Sequence, residues 1–268
     1  MTTADAPTPQ QGQVTWQTSE DGQTATILVD RPAKLNAMSL EMIADLHRVV
    51  NEIETSDARV VVVRTAGEKV FCVGADIKQF LQLTPVQMHR IWLRRGHEAY
   101  DALARLPMPT VAVIDGLALG GGLELALACD IRIISTKAEV GLPEVGLGTI
   151  PGWGGVSRLP RLIGPVRAAD LVLTRRRLSA QESLDWGICT RIAHPAQLEQ
   201  ETDQLVAELL TASPQAQAVA KELLALAPFG APGQLGESLG GALTAATDDF
   251  AEGTAAFAER RDATFPNA

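Results

Sequence analysis

The sequence has few cysteines and none of the usual cysteine motifs. Its three cysteines, Cys72, Cys129 and Cys189, are far apart and form no CxxC pair. An odd number of widely spaced cysteines argues against a disulfide framework or a zinc knuckle and suits a reducing compartment. We therefore expect a cytoplasmic protein that has no metal site.

The chain also lacks basic character and long apolar runs. Its 268 residues include 23 Lys and Arg against 32 Asp and Glu, for a net charge of −9. A nucleic-acid groove normally has a basic footprint, and a membrane span needs about 20 apolar residues. Residues 1–13 have neither a positive charge nor an apolar segment, which predicts a disordered tail rather than a signal peptide. We expect neither nucleic acid nor a membrane as a partner.

Several motifs of cofactor-binding and metal enzymes are absent. The sequence contains no GxGxxG, no GxxxxGK[ST] and no HExxH. Of its four histidines, His47 and His194 lie far from any glycine-rich turn and are interpreted as structural or solvated, whereas His97 is left open. An acid/base enzyme built on this chain would therefore use carboxylates.

What the chain does contain is an α/β pattern. Ser39 is placed to cap a helix whose apolar residues recur every three or four positions. Thr84 and Pro85 are placed to begin a long helix that extends to about Leu106. Short strands are predicted at 24–29, 59–64, 70–73, 110–114 and 131–134. A strand, a glycine break and a helix start occur twice, so crossover units are expected in a core of residues 14–195, followed by a helical region of residues 196–268.

The two glycine breaks are candidate anion sites. They leave the backbone N–H groups of Ala75 and Gly121 at predicted helix starts, where such groups have no intrahelical partner. Two such donors that converge on one point would bind an oxyanion. The alternative is that each break is only a sharp turn.

Two glutamates lie beside glycine-rich segments. Glu124 is in LALGGGLEL (117–125), and Glu144 is in GLPEVGLGTIPGWGG (141–155). Both are surrounded by apolar residues, which raise a carboxyl pKa towards the range that is useful for proton transfer. The alternative is that Glu124 balances a helix dipole and Glu144 is an ordinary loop carboxylate.

Four blocks together resemble the crotonase (enoyl-CoA hydratase/isomerase) family over roughly residues 14–265. They are DRPAKLNAMS (30–39), FCVGADIK (71–78), LALGGGLELALACDIRI (117–133) and PEVGLGTIPGWGGVSRLPRLIG (143–164), with support from FAEGTAAFAERRDATF (250–265). The resemblance implies an α/β fold, a crotonase-like spiral of ββα units. It also implies a C-terminal helical region that completes homotrimers, usually paired into hexamers.

The resemblance also implies roles for individual residues. Ala75 and Gly121 would form the oxyanion hole for a thioester carbonyl. Family members that hydrate 2-enoyl thioesters carry both glutamates, whereas isomerase-like members often keep only the one at Glu144. Glu124 would activate the water, and Glu144 would deliver a proton to Cα. The coenzyme A and substrate contacts would come from Ala33, Lys34 and Leu35 along the pantetheine arm, and from Ala75, Asp76, Ile77 and Lys78 around the adenine and substrate.

Further candidates lie around these blocks. Trp153, after Gly152, is close enough to Glu144 in sequence to shape the pocket. Arg260 stands where family members often carry a lysine that contacts the nucleotide from a neighbouring subunit. Phe80 and Trp92 are interpreted as core residues, and cations that could meet the coenzyme phosphates are Lys34, Lys78, Arg31, Arg260 and Arg261.

These observations favour an enoyl-CoA hydratase of the fatty acid β-oxidation type. It would add water to a trans-2-enoyl-CoA to give a 3-hydroxyacyl-CoA, with no permanently bound cofactor, because the substrate itself carries coenzyme A. The alternatives are double-bond isomerisation or another acyl-CoA lyase reaction on the same scaffold. A non-catalytic RNA-binding relative is disfavoured by the acidic charge balance.

Overall fold

A computed structural model describes residues 11–67, 69–227 and 233–267 of the chain. Most of the segment expected to be a disordered tail, residues 1–10, lies outside the described residues. The first strand begins at Gln13, so the last residue of that expected tail belongs to the sheet. The reason is pairing: Gln13 lies opposite Asp30 in an antiparallel ladder.

The described residues form ten strands and eleven α-helices. The strands are β1 Gln13–Thr18, β2 Thr24–Asp30, β3 Val60–Thr65, β4 Val70–Cys72, β5 Thr110–Ile114, β6 Leu117–Leu119, β7 Ile131–Ser135, β8 Glu139–Gly141, β9 Leu178–Ser179 and β10 Arg191–Ala193. The helices are α1 Leu40–Glu54, α2 Ile77–Phe80, α3 Pro85–Gln87, α4 Arg94–Arg105, α5 Gly121–Leu127, α6 Gly155–Thr174, α7 Ala180–Trp186, α8 Leu198–Leu210, α9 Pro214–Leu226, α10 Gly233–Thr244 and α11 Asp248–Glu259.

The larger sheet has six strands in the order β1-β2-β3-β5-β7-β10, and all its pairs except β1 with β2 are parallel. The four valines of β3 alternate between its two faces. Val61 and Val63 pack into the main core with α1 and α4, whereas Val60 and Val62 pack towards α8. A sheet covered on both sides explains why its strands are apolar throughout.

A smaller sheet of short strands runs beside it, in the order β4-β6-β8-β9. Each of β3, β5 and β7 is followed by one strand of the smaller sheet, and after β4 and β6 comes a short helix. This repeat of two strands and a helix, with helices at the C-terminal end, is the fold class that the sequence predicted. Because β4, β6 and β8 are parallel, the segments that follow them emerge at the same edge of the sheet.

The long helix predicted to start at Thr84 is present, with one irregularity. Thr84 forms a capping box with Gln87, and between α3 and α4 the residues Met88–Leu93 form π-helical turns. Such turns are rare and are frequently found at functional sites. They are the first indication that this helix contributes to more than the core.

The C-terminal helices α9, α10 and α11 present exposed apolar side chains. On α10, Leu235, Leu239 and Leu243 recur every four residues and are exposed by more than half. α8, the first helix of the predicted C-terminal region, packs on the larger sheet. Within the described part of the chain, no helix has both the length and the apolar character to cross a bilayer.

Candidate active site

Two glycine turns meet at the shared edge of the smaller sheet. Gly74 follows β4 with φ 97°, and Gly120 follows β6 with φ 53°, a region that L-residues other than glycine rarely adopt. A Cβ on Gly74 would lie 2.9 Å from the Gly121 nitrogen, and a Cβ on Gly122 would lie 2.1 Å from the Cys72 carbonyl oxygen. Only glycine allows this backbone contact. α5 then starts at Gly121.

The two predicted oxyanion donors are free to bind a ligand. Met38 donates its N–H to Gly74 O at 2.7 Å and accepts from Asp76 N at 2.8 Å, so the intervening Ala75 amide points away from this ladder. The Gly121 N–H is at the first turn of α5, where no intrahelical acceptor exists. Neither amide has an acceptor among the described residues, and both line one pocket.

Glu124 lies at the floor of this pocket and is only 2 % exposed. Its Oε1 accepts hydrogen bonds from the backbone N–H groups of Trp153 and Gly155, each at 2.7 Å. Burial raises the pKa of Glu124, and the two N–H donors oppose that rise because they stabilise the ionised carboxylate. The side chain is therefore fixed in orientation and held as an acceptor.

Glu144 lines the same pocket but lies in a different hydrogen-bonding environment from Glu124. It follows β8 in a short 3₁₀ turn, and its Oε2 is buried with no hydrogen-bond partner. Burial raises the pKa of Glu144 to about 7, and the nearby Glu124 charge acts in the same direction. A Cβ on Gly120 would lie 2.8 Å from Glu144 Oε1, so this carboxyl is packed against the glycine turn. Glu144 can therefore hold or release a proton near neutral pH.

The pocket has a volume of about 260 Å³ and is lined mainly by apolar side chains. Pockets for drug-sized ligands begin at about 300 Å³, so this one suits the thioester and acyl part of a ligand rather than a whole coenzyme. Gly152 and Trp153 line it as predicted. Phe80 and Trp92, interpreted from sequence as core residues, also line it. Trp92 is nevertheless almost completely buried, as expected of a core residue.

Sequence reasoning missed several pocket residues. Two of them lie on or beside short helices outside the quoted motifs, and the other four lie inside the block 143–164, where attention fell on Glu144, Gly152 and Trp153. They are Leu81, Leu93, Pro143, Leu147, Thr149 and Ile150.

The segment that supports Glu124 is itself held in place. Arg158 donates to the Trp153 carbonyl at 2.9 Å and forms an ion pair with Asp101. Tyr100, fully buried against the Trp153 ring, donates its hydroxyl hydrogen to the Gly121 carbonyl at 3.0 Å. These contacts join α4 to both the carboxylate support and the glycine turn, and no sequence signal indicated them.

The predicted coenzyme-binding residues divide into two groups. Ala75, Ile77 and Gly121 line the pocket. The others, Ala33, Lys34, Leu35, Asp76 and Lys78, lie outside it, but the Leu35 carbonyl accepts from Val73 N at 3.2 Å, which brings their loop beside the pocket wall.

The arginines predicted to contact the coenzyme phosphates differ in burial and in their ion-pair partners. Arg31 is buried and pairs with Asp76 at 2.7 Å, so it is a structural cation rather than a free phosphate ligand. Arg261 pairs with Glu252 and Glu259. Arg260 is an exposed C-terminal cap of α11 and does not line the pocket.

In the described part of the chain, no His, Cys or Ser lines this pocket. In residues 11–67, 69–227 and 233–267, no group of three or more His, Cys, Asp and Glu could hold a metal ion. All three cysteines are free thiols and buried. His194 caps a 3₁₀ turn, whereas His89 and His97 lie on the helix that carries Trp92. A GxSxG pattern at 236–240 lies inside α10, not at the strand-to-helix turn that such a nucleophile needs.

Comparisons with known proteins agree with this geometry. The family model for enoyl-CoA hydratase/isomerase matches residues 20–268. YngF of Bacillus subtilis, whose name assigns it provisionally to the enoyl-CoA hydratases/isomerases, is 40 % identical over 253 residues, covering 92 % of this chain and 96 % of its own. The short-chain-enoyl-CoA hydratase of Clostridium acetobutylicum is 34 % identical, with 76 % of this chain and 78 % of its own covered.

A solved structure supports the same relationship. The crystal structure of enoyl-CoA hydratase from Bacillus anthracis superimposes with a TM-score of 0.89 at 33 % identity, and the match covers 95 % of this chain and 99 % of that one. A family match over most of the chain, together with relatives above 30 % identity, is more than a likeness of fold. The chain belongs to the enoyl-CoA hydratase/isomerase family.

Proposed function

We propose that this protein is an enoyl-CoA hydratase that converts a trans-2-enoyl-CoA to a 3-hydroxyacyl-CoA. One observation carries the proposal: a single pocket contains two carboxyl groups and two backbone N–H groups without acceptors. Addition of water to a conjugated thioester develops negative charge on the carbonyl oxygen. Preorganised donors stabilise that charge as it forms, and each is typically worth about 2.7–4 kcal/mol.

The two carboxyl groups are suited to different roles. Burial raises the pKa of Glu124, but its carboxylate accepts two backbone N–H bonds that favour the ionised form, and we assign it as the base that takes a proton from water as oxygen attacks Cβ. Glu144, with a pKa of about 7, is the acid that delivers a proton to Cα. The product gains the elements of one water, and proton exchange through the next water returns Glu124 and Glu144 to their starting forms.

The carbonyl of the thioester would accept from Ala75 and Gly121, with the acyl chain among the apolar pocket residues. Ala33, Lys34 and Leu35 would follow the pantetheine arm, and Asp76, Ile77 and Lys78 would flank the rest of the coenzyme. The proximity of Leu35 to the pocket wall supports this path. The protein groups and water suffice for the chemistry, so we propose no permanently bound cofactor.

Hydration of crotonyl-CoA tests the proposal directly. Loss of the enoyl-thioester absorbance, with 3-hydroxybutyryl-CoA as the product by mass spectrometry, is the expected result. Absence of hydration with trans-2-enoyl-CoA substrates of every chain length tried would overturn it. Glu124→Gln provides the matched variant, because it keeps the side-chain volume while removing the base.

Double-bond isomerisation remains the second candidate. The observation that favours it is the pKa of Glu144, since one carboxyl that titrates near neutrality can move a proton between two carbons. An isomerase would convert trans-3-enoyl-CoA to trans-2-enoyl-CoA, and this conversion would survive Glu124→Gln. Hydration requires both carboxyl groups, so the same variant distinguishes the two reactions.

We also propose that the protein acts as a homotrimer or a dimer of trimers in the cytoplasm. The exposed leucines of α10 support an assembly, because exposed apolar patches of this kind mark protein contacts. Three unpaired, buried thiols are consistent with a reducing compartment. The acidic net charge of −9 does not favour RNA as a partner.

A further inference from the structure

A group of basic side chains lies beside the acyl pocket. The exposed residues His89, Arg90, Arg94 and His97 line a second pocket, here called the cationic pocket after its two arginines, on the helix that carries Trp92. Leu93 lines both pockets. The cavity for the acyl chain and the cationic pocket are therefore neighbours that meet at this one aliphatic side chain.

The cationic pocket has little acidic compensation. Arg94 pairs with Glu98 at 2.8 Å, but within the described ranges Arg90, His89 and His97 have no carboxylate partner. No Asp or Glu lines the second pocket, and the only carboxyl groups lining the first are Glu124 and Glu144. In a chain of net charge −9, a pocket lined by two arginines and no carboxylate stands out.

The backbone here is also unusual. His89, Arg90 and Leu93 all belong to the π-helical turns Met88–Leu93, which change the angular spacing of side chains relative to an α-helix. These turns put Trp92 and Leu93 on the acyl pocket while Arg90 and His89 line the neighbouring one. The irregular segment thus connects the two cavities.

We propose that the cationic pocket is a subsite for an anionic group at the far end of the acyl chain. The preferred substrates would be 2-enoyl thioesters that end in a carboxylate, that is, mono-CoA esters of 2-enedioic acids. The inference rests on the proposed hydratase function and defines its substrate class. Arg90 and Arg94 would supply the planar forks that pair with carboxylates, and such charge-assisted bonds are about twice as strong as neutral ones.

The electrostatics explain why a dedicated subsite is needed. A substrate tail with a negative charge would otherwise approach a protein of net charge −9 and a pocket containing two carboxyl groups. A neutral acyl chain needs no such compensation. Arginines beside the acyl pocket would therefore discriminate by terminal charge rather than by chain length.

The test compares matched pairs of substrates in the wild-type protein. We expect kcat/KM for trans-2-hexenedioyl-CoA to exceed that for trans-2-hexenoyl-CoA by about tenfold, the effect of one charge-assisted contact of about 1.4 kcal/mol. Arg90→Gln and Arg94→Gln should each reduce this preference towards unity. Arg95→Gln is the matched control, because Arg95 is an exposed cation on the same helix that lines neither pocket.

Two further measurements separate the possible outcomes. Binding of the saturated analogues adipyl-CoA and hexanoyl-CoA, measured by calorimetry, needs no turnover, so it tests the subsite even if hydration fails. Equal affinity for the two analogues, or equal kcat/KM for the two enoyl substrates, overturns the inference. An Arg90→Gln effect that is the same for both substrates, and that disappears with N-acetylcysteamine thioesters, would assign the cations to the coenzyme phosphates and also overturns it.

Discussion

At the scale of single residues, Glu144 is the most unusual group in the pocket. Its Oε2 is buried without a hydrogen-bond partner, and its pKa is raised to about 7. An unsatisfied buried oxygen costs free energy, so its retention at a pocket wall points to a ligand or water that completes it. Glu124, which is more deeply buried, has two backbone donors and differs from Glu144 in this respect.

Replacement of Glu144 by Gln should abolish most of the turnover and leave acyl-CoA binding in place. A positioned acid contributes about 10²–10⁴-fold, and the amide cannot supply its proton. Steady-state kinetics with crotonyl-CoA and calorimetry with butyryl-CoA measure the two effects. The control is Glu139→Gln, which removes an exposed carboxylate paired only with Arg177. Unchanged turnover in Glu144→Gln would contradict the assigned role.

The same residue predicts how stability depends on pH. Because burial raises the pKa of Glu144 from 4.5 to about 7, the folded protein holds a proton that the unfolded chain releases in this interval. Raising the pH from 4.5 to about 7 should therefore destabilise the wild-type protein. Thermal unfolding across this range should show the melting temperature of the wild type falling relative to Glu144→Gln. Parallel curves for the two proteins would disprove the shift.

At the scale of elements, the site depends on two strand-to-helix turns that touch. β4 and β6 are paired in parallel, so Gly74 and Gly120 follow neighbouring strand ends. α5 then starts with its first amide directed at the pocket, and Tyr100 on α4 holds the Gly121 carbonyl. Donor geometry is thus a property of how these elements pack rather than of any one residue.

A methyl group between these elements should disturb both stability and activity. Gly122→Ala would bring a Cβ to 2.1 Å from the Cys72 carbonyl oxygen, so α5 must shift away from β4. Overpacking of this kind costs about 1–3 kcal/mol, and the displaced Gly121 amide should lower kcat.

The control for this prediction is Gly241→Ala in α10, where a Cβ would meet nothing within 4 Å. In a helix interior that change stabilises by about 0.5–1 kcal/mol. Urea unfolding should show a lower free energy of unfolding for Gly122→Ala and a higher one for Gly241→Ala. Crotonyl-CoA turnover should fall in Gly122→Ala and not in Gly241→Ala. Equal stability of the two would show that the contact between α5 and β4 is not tight. Gly121→Pro is a less clean test, because a Cβ there would lie 2.7 Å from the Trp153 ring.

At the scale of the whole molecule, the C-terminal helices carry several exposed apolar side chains. Leu235, Leu239 and Leu243 form one face of α10, and Phe257 on α11 is 87 % exposed. Burial of apolar surface is worth about 25 cal/mol per Å², so leaving this face in water is unfavourable. The expected trimer would cover it.

Light scattering after size exclusion should therefore give the mass of a trimer or a hexamer. Leu239→Glu should yield smaller species, because a carboxylate placed in an apolar interface is costly to desolvate. Gln234→Glu adds the same charge at an exposed polar position of the same helix and should leave the mass unchanged. A monomeric wild-type protein would refute the expected assembly.

Local sequence determined the elements whose signals are short-ranged. The valines of β3, the Ser39 cap of α1 and the Thr84 cap of the long helix were all predicted, because propensity and capping act over a few residues. The strands β1, β6, β8, β9 and β10 were not predicted. All of them except β1 have only two or three residues, too few for an alternating pattern to be recognised.

The sequence by itself also determined which residues are candidates: two glutamates, two glycine turns and the motifs of a family. Only the tertiary structure decided what each of them contacts. The donors that hold Glu124 lie 29 and 31 residues away, and Arg31, a candidate for phosphate binding, is instead paired with Asp76. Composition and periodicity describe each segment in isolation, whereas pKa, burial and hydrogen bonding depend on the segments that folding brings together.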